Sequence, residues 1–127
     1  LQAAGGGAGR ALGYVCAPSL FQKMIVKSQG ATGDINAYKE NRDLLYEGLT
    51  RIGYHCFKPD GAFYMFVKAL EDDSNAFCEK AKEEDVLIVA ADGFGCPGWV
   101  RISYCVDGEM IKRSMPAFEK IYKKYNK

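Results

Sequence analysis

The sequence predicts an α+β protein, a two-layer α-β sandwich whose small sheet, with antiparallel pairing, is covered by helices on one face. Three observations carry this expectation. A helical apolar period runs through residues 35–52, two later stretches, AFYMFVK and WVRISYCV, switch to a period of two, and a Pro59-Asp60-Gly61 turn joins YHCFK to the first of them. Strands joined by so short a turn pair antiparallel, and amphipathic helices must cover the apolar face they make.

In chain order, the opening LQAAGGGAGRALGYVCAP mixes a glycine cluster with Ala and Leu before Pro18, and reads as a loop followed by a short helix. Ser19 is placed to cap a second short helix over residues 20–29, with Leu20 and Met24 on one side and Gly30 as its stop. The next helix is the clearest. Asp34 caps it, Ile35, Tyr38, Leu45, Leu49 and Ile52 recur on one face, and Lys39, Glu40, Asp43, Glu47 and Arg51 fill the other. Gly48 weakens this helix by about 1 kcal/mol relative to Ala, which points to close packing there or to simple tolerance. After Gly53 come the strands YHCFK and AFYMFVK. Asp72, Asp73 or Ser74 then caps a helix over residues 75–84 with Phe77 and Ala81 inward, and VLIVA follows as a short buried strand. A glycine-rich loop, ADGFGCPG, leads into WVRISYCV. Asp107 caps the last helix, whose stripe is Met110, Ile111, Met115, Phe118, Ile121 and Tyr122, with a bend or break expected at Pro116.

Composition narrows the functions. A 127-residue chain with 48% apolar and 26% charged residues folds around a real core. Seventeen Lys and Arg against sixteen Asp and Glu give a net charge of +1, so no nucleic-acid partner is expected. No apolar run approaches the roughly 20 residues that span a bilayer, and no basic-then-apolar leader opens the chain, so no membrane partner is expected either. Five widely spaced cysteines without a C-x-x-C pair fit a reduced, cytoplasmic setting. The single histidine, His55, stands beside Cys56, and neighbours on a strand point to opposite faces. That disfavours a metal site and a Cys-His nucleophile pair, unless another Cys reaches His55 in the fold. The sequence starts at Leu1 without a methionine, which suggests a piece of something longer.

Three constellations could carry function. Residues 7–13, GAGRALG, imitate a dinucleotide-binding glycine loop, but such a loop follows a strand, and LQAA leaves almost no room for one; a packing or flexible glycine cluster is the plainer reading. Arg101 alternates with Val100 and Ile102 on its strand, where a planar guanidinium can hold a carboxylate through two parallel hydrogen bonds; alternatively it is an edge-strand arginine paired with a surface acid. Phe57, Phe63, Tyr64, Phe66, Trp99 and Tyr104 form an aromatic cluster that reads as core packing rather than a ligand shelf.

Taken in order, YKENRDLLYEGLTRIGY, KPDGAFYMFVKA and VLIVAADGFGCPGWVRISYCV give residues 31–125 a family pattern. The stretch resembles the C-terminal small domain of the class I and II (fold type I) pyridoxal-phosphate-dependent aminotransferases, aspartate-aminotransferase-like members above all. Residues 1–30 are similar to a helical stretch that precedes the small domain in some members, which displaces the dinucleotide reading of residues 7–13. Arg10 does not match the phosphate-binding arginine of that family, because the pattern around it differs.

The resemblance implies a division at residues 1–30, a helical segment leading from a large domain, and residues 31–127, the small domain. It implies that Arg101 holds the carboxylate of an amino-acid or 2-oxo-acid substrate, with Phe94 and Gly95 as further candidates for lining the cleft. It also implies pyridoxal 5'-phosphate in the intact parent, a homodimer, and amino-group exchange. The family places its Schiff-base lysine in an S/T-x-x-K motif, and none of the twelve lysines here has that setting. The chain is therefore expected to bind no cofactor and to be inactive alone. A free-standing carboxylate-binding or dimerisation module is the alternative.

Overall fold

The computed structural model describes residues 2–12 and 17–126. They fall into two compact units, Leu1–Gly33 and Asp34–Lys127.

The first unit holds two helices, α1 (Gln2–Ala11) and α2 (Ser19–Lys27). The glycine cluster is helical rather than a loop. Each glycine costs a helix about 1 kcal/mol relative to Ala, and the alanines and Arg10, all strong helix formers, offset that. The end of the glycine motif at Gly13, Cys16 and part of the short helix expected before Pro18 lie outside the described residues. Pro18, not Ser19, is the N-cap of α2, and Ser19 is its first helical residue. Leu20, Phe21, Met24, Ile25 and Val26 of α2 are all exposed.

The second unit follows the expected order more closely. Helix α3 spans Ile35–Ile52, and the Asp34 side chain accepts the Ala37 N–H at 3.0 Å. It ends at Gly53 with φ +119, whose N–H donates to the Leu49 and Thr50 carbonyls, both at 3.1 Å. Leu45 and Leu49 are buried and Ile52 half-buried, but Ile35, expected on the same face, is exposed in the first turn. Gly48 is a packing glycine, since a Cβ there would run into the Met115 sulfur. At Gly53 a side chain would meet both a left-handed backbone and the Tyr122 hydroxyl, 2.5 Å from the Cβ position. Gly53→Ala should therefore lower unfolding free energy by about 1–3 kcal/mol, read from the urea midpoint, and an unchanged midpoint would show that the turn relaxes freely.

Strands β1 (Tyr64–Lys68), β2 (Val89–Ala90) and β3 (Trp99–Ser103) form an antiparallel sheet in the order β1-β3-β2. The register sets Met65 against Ile102 and Val67 against Val100, and all four are buried. YHCFK is reduced to an isolated bridge between Cys56 and Val67, closed by Phe57 N–H to Phe66 O at 3.1 Å and Lys68 N–H to His55 O at 2.9 Å. Pro59 and the positive φ of Ala62 (66°) turn the chain away before a full strand forms. Of VLIVA only Val89–Ala90 forms a strand, at the sheet edge, and the stretch is not buried on both sides: Val86 and Ile88 face the core while Leu87 and Val89 are exposed.

Helix α4 (Ser74–Lys82) is capped by Asp73, whose carboxylate accepts the Asn75 and Ala76 N–H groups. Helix α5 (Gly108–Tyr125) is capped by Asp107 and runs through Pro116 without ending. The proline removes one backbone donor, but Ile111, Met115, Phe118 and Ile121 pack on either side of it and hold both halves. Leu45 and Leu49 of α3, Phe77 and Ala81 of α4 and Ile111, Phe118 and Ile121 of α5 cover one face of the sheet, as a two-layer α-β arrangement requires, whereas Met110, expected in the α5 stripe, is exposed in its first turn. Polar ties add to this packing: the buried Tyr54 hydroxyl donates to Phe118 O at 3.0 Å, joining the end of α3 to α5, and half-buried Asn41 Nδ2 donates to Val106 O at 2.7 Å and Tyr104 O at 3.2 Å, joining α3 to the segment after β3. Burial pushes the Tyr54 phenol well above its ordinary pKa, so it stays a donor at every ordinary pH.

Candidate functional site

The sheet face opposite the helices collects side chains that the core does not use. Phe66, Trp99, Arg101 and Ser103 are half-buried there, and Tyr64, Lys68 and Val89 are exposed. Arg101 lies at the centre, on the middle strand, with Phe66 of β1 and Val89 of β2 as its cross-strand partners. Its position on the middle strand rules out the edge-strand reading. Among the described residues no carboxylate pairs with it.

Two rings hold the guanidinium. Its Cζ lies 4.1 Å from the ring centroid of Tyr64 and 4.1 Å from that of Phe94. Such contacts stabilise by about 0.5–1 kcal/mol each at exposed sites, and they fix a long side chain whose rotamer freedom is otherwise large. Aromatic faces attract the charge but are poor hydrogen-bond acceptors, so the in-plane N–H fork is left for an oxygen acceptor from outside. A carboxylate fits that fork in two parallel bonds.

Phe94 reaches Arg101 from a 3-10 turn, Asp92–Phe94, between β2 and β3. Ala91, fully buried, anchors the turn: its N–H donates to Trp99 O at 2.8 Å, and its carbonyl accepts from Phe94 at 2.9 Å and Cys96 at 3.1 Å. Gly95 closes the turn in the left-handed region, φ +76, which a side chain would oppose. The Ser74 hydroxyl, buried at the start of α4, donates to the Asp92 carboxylate. Beside this turn a groove of about 540 Å³ is lined by Phe57, Phe66, Gly95, Cys96, Pro97 and Trp99. Phe57 and Trp99 stack over it at 4.8 Å between centroids.

The sequence-derived candidates thus come apart and regroup. Arg101 and Phe94 are in contact, and Gly95 caps the turn that joins them. The aromatic cluster is mostly not core: only Tyr104 is buried, while Phe57, Phe63, Tyr64, Phe66 and Trp99 are exposed or half-buried. Parity is the reason for Phe57, Tyr64, Phe66 and Trp99, since residues that share a strand face with Arg101 cannot also face the helices, whereas Phe63 precedes β1 and meets the Tyr38 ring of α3 at the margin, 5.2 Å between centroids. His55 is exposed against Phe57 and Trp99, both 5.6 Å between centroids, and the neighbouring Cys56 thiol is pushed up to about 11 by burial, which removes it as a nucleophile near neutrality. Arg10 is exposed on α1. Two features escaped sequence reasoning. Tyr64 as a stacking partner could have been found from the strand register, whereas the Ser74–Asp92 contact has no local signal.

Most of the described lysines are engaged at the surface. Lys68 is the one lysine on the β1–β3 part of this face, and its amine rests 5.6 Å from the Trp99 ring, exposed. Lys58, Lys80, Lys82, Lys112, Lys120, Lys123 and Lys124 pair with surface carboxylates. Among the described residues no group of three or more His, Cys, Asp and Glu side chains could hold a metal ion, and no helix is long and apolar enough to cross a membrane.

Residues 16–118 match the family model described as aminotransferase class I and II. An aspartate/prephenate aminotransferase of Thermus thermophilus is 33% identical over 87 residues, which cover 67% of this chain and 23% of that protein. An aspartate aminotransferase of Thermotoga maritima is 34% identical over 86 residues, covering 67% and 22%. The chain therefore spans about a quarter of the length of the curated relatives it matches. Among solved structures, an aminotransferase from Eubacterium rectale is 98% identical, with a TM-score of 0.84 over 95% of this chain and 30% of that one. The Thermus thermophilus aspartate aminotransferase with maleate is 33% identical, with a TM-score of 0.66 over 68% of this chain and 23% of that one.

Proposed function

The chain belongs to the class I and II aminotransferases, and from that premise we propose that it is the C-terminal part of an enzyme that exchanges amino groups between an amino acid and a 2-oxo acid. Its own task is to grip the substrate carboxylate through Arg101. One observation carries this reading: a guanidinium fixed between strand and turn by two rings, with its N–H fork unclaimed by any described carboxylate. The match of about a quarter of each relative's length agrees with a partial chain.

Pyridoxal 5'-phosphate would supply the electron sink for moving the amino group, and the lysine that holds it would come from the larger domain of the parent. No step through the cofactor is assigned to the residues of this chain. What they do is orient: a bidentate clamp fixes both the position and the rotation of the carboxylate, and so the direction of the substrate's other bonds. The exposed apolar side of α2 supports a larger assembly, with the parent's dimer partner or large domain as its cover.

The test compares this chain with the complete protein that contains it, each purified and assayed for transamination with added pyridoxal phosphate. Turnover by the complete protein and none by this chain above free cofactor is the expected result. Turnover by this chain alone would overturn the division of labour. Inactivity of the complete protein, together with saturable maleate binding by this chain, would favour a non-catalytic carboxylate-binding module.

A further inference from the structure

Arg101 is held by a turn that the backbone bonds of buried Ala91 anchor at its base, while its side chains stand in solvent. Asp92, Gly93, Phe94 and Gly95 are all exposed, and a three-residue exposed turn has little packing to fix a ring in one place. The turn is nevertheless tied to the core from a distance of 18 residues, because the Ser74 hydroxyl donates to Asp92 Oδ2. Ser74 is 1% exposed. As the first residue of α4 it has no carbonyl four residues back within its own helix, so its hydroxyl cannot take the bond that helix serines usually take. The Asp92 carboxylate is its partner, and a charged acceptor makes the bond stronger than one between neutral groups. The helix behind it is fixed in turn, by the Asp73 cap and by the buried Phe77 and Ala81.

We propose that Ser74 and Asp92 are positioning residues for Arg101. They lock the 92–94 turn so that the Phe94 ring stays on the guanidinium and keeps its N–H fork aimed. The consequence for catalysis rests on the carboxylate reading of Arg101; the geometric coupling does not.

Two measurements separate the two claims. In NMR spectra of this chain the Arg101 Hδ and Hε resonances should lie upfield, under the ring currents of Phe94 and Tyr64. Ser74→Ala and Asp92→Ala should both move them downfield, towards their positions in Phe94→Ala, while the Met65 and Val100 methyl resonances stay in place. Arg101 resonances that shift in Phe94→Ala but not in the other two would overturn the proposal. Asp92 is exposed, so its variant keeps the test open if Ser74→Ala fails to fold. In the complete aminotransferase, Ser74→Ala should raise the substrate KM by about two- to five-fold with kcat unchanged, the factor that one exposed cation–π contact represents, and Ser74→Thr should restore it. A fall in kcat at constant KM would count against positioning. If Arg101→Lys leaves KM unaltered while the resonances move as expected, the carboxylate reading fails and the coupling stands.

Discussion

Replacing Arg101 by Ala in the complete aminotransferase should lower kcat/KM for amino-acid substrates by about 10²- to 10⁴-fold. On the role proposed for Arg101, two charge-assisted hydrogen bonds would be lost, each contributing about 1.5–3 kcal/mol to binding a charged group. Arg101→Lys should recover only part of the deficit: an ammonium keeps the charge but offers no planar fork, and it would not lie on the Tyr64 and Phe94 rings as a guanidinium does. The effect should be specific to the carboxylate, so amines that lack one are expected to react at similar rates in both proteins. Equal losses for substrates with and without a carboxylate would mean that Arg101 supports the fold of the cleft and does not touch substrate. In this chain alone the same substitution should change maleate affinity much less. There the half-exposed guanidinium competes with water, and an ion pair in water contributes no more than about 1 kcal/mol.

How far the site was legible depends on the range of the signal. The caps Asp34 and Asp107 and the stop at Gly53 are local, written within four residues of the bonds they make, and reading the chain places them; for α4 it leaves Asp72, Asp73 and Ser74 open, and Asp73 is the cap. Arg101 is legible because alternation puts it opposite Val100 and Ile102, and those two are buried. Alternation assigns faces only relative to one another, however, and Tyr64, Phe66 and Trp99 look like core until the register shows them on the Arg101 side. YHCFK has strand composition, yet a strand needs a partner along its whole length, and only Phe57 and His55 find one before Pro59 turns the chain. The Ser74–Asp92 contact joins two elements through tertiary packing, and neither residue differs in sequence from an ordinary helix-start serine or turn aspartate.

The largest loss of stability is expected at Phe77→Ala. Phe77 is 1% exposed, the largest fully buried side chain, and it also meets the Tyr125 ring edge-to-face, 5.8 Å between centroids at 62°. Truncating a buried Phe costs about 3–5 kcal/mol, because transfer free energy is lost and a cavity remains between α4, the sheet and α5. Domains of this kind are stable by about 5–15 kcal/mol, so the urea midpoint should fall by about a fifth or more, with the slope unchanged. A loss under about 1 kcal/mol would mean that α4 settles onto the sheet and fills the space. That outcome would also move the functional face, because α4 begins with Ser74, and any slide of the helix draws on Asp92, on Phe94 and so on Arg101. On the proposed role of Arg101, stability and substrate grip are expected to be coupled through this helix: a Phe77 variant that still folds should lose part of the upfield shift at Arg101, whereas truncating a buried side chain on another helix, such as Leu45 on α3, should leave it in place.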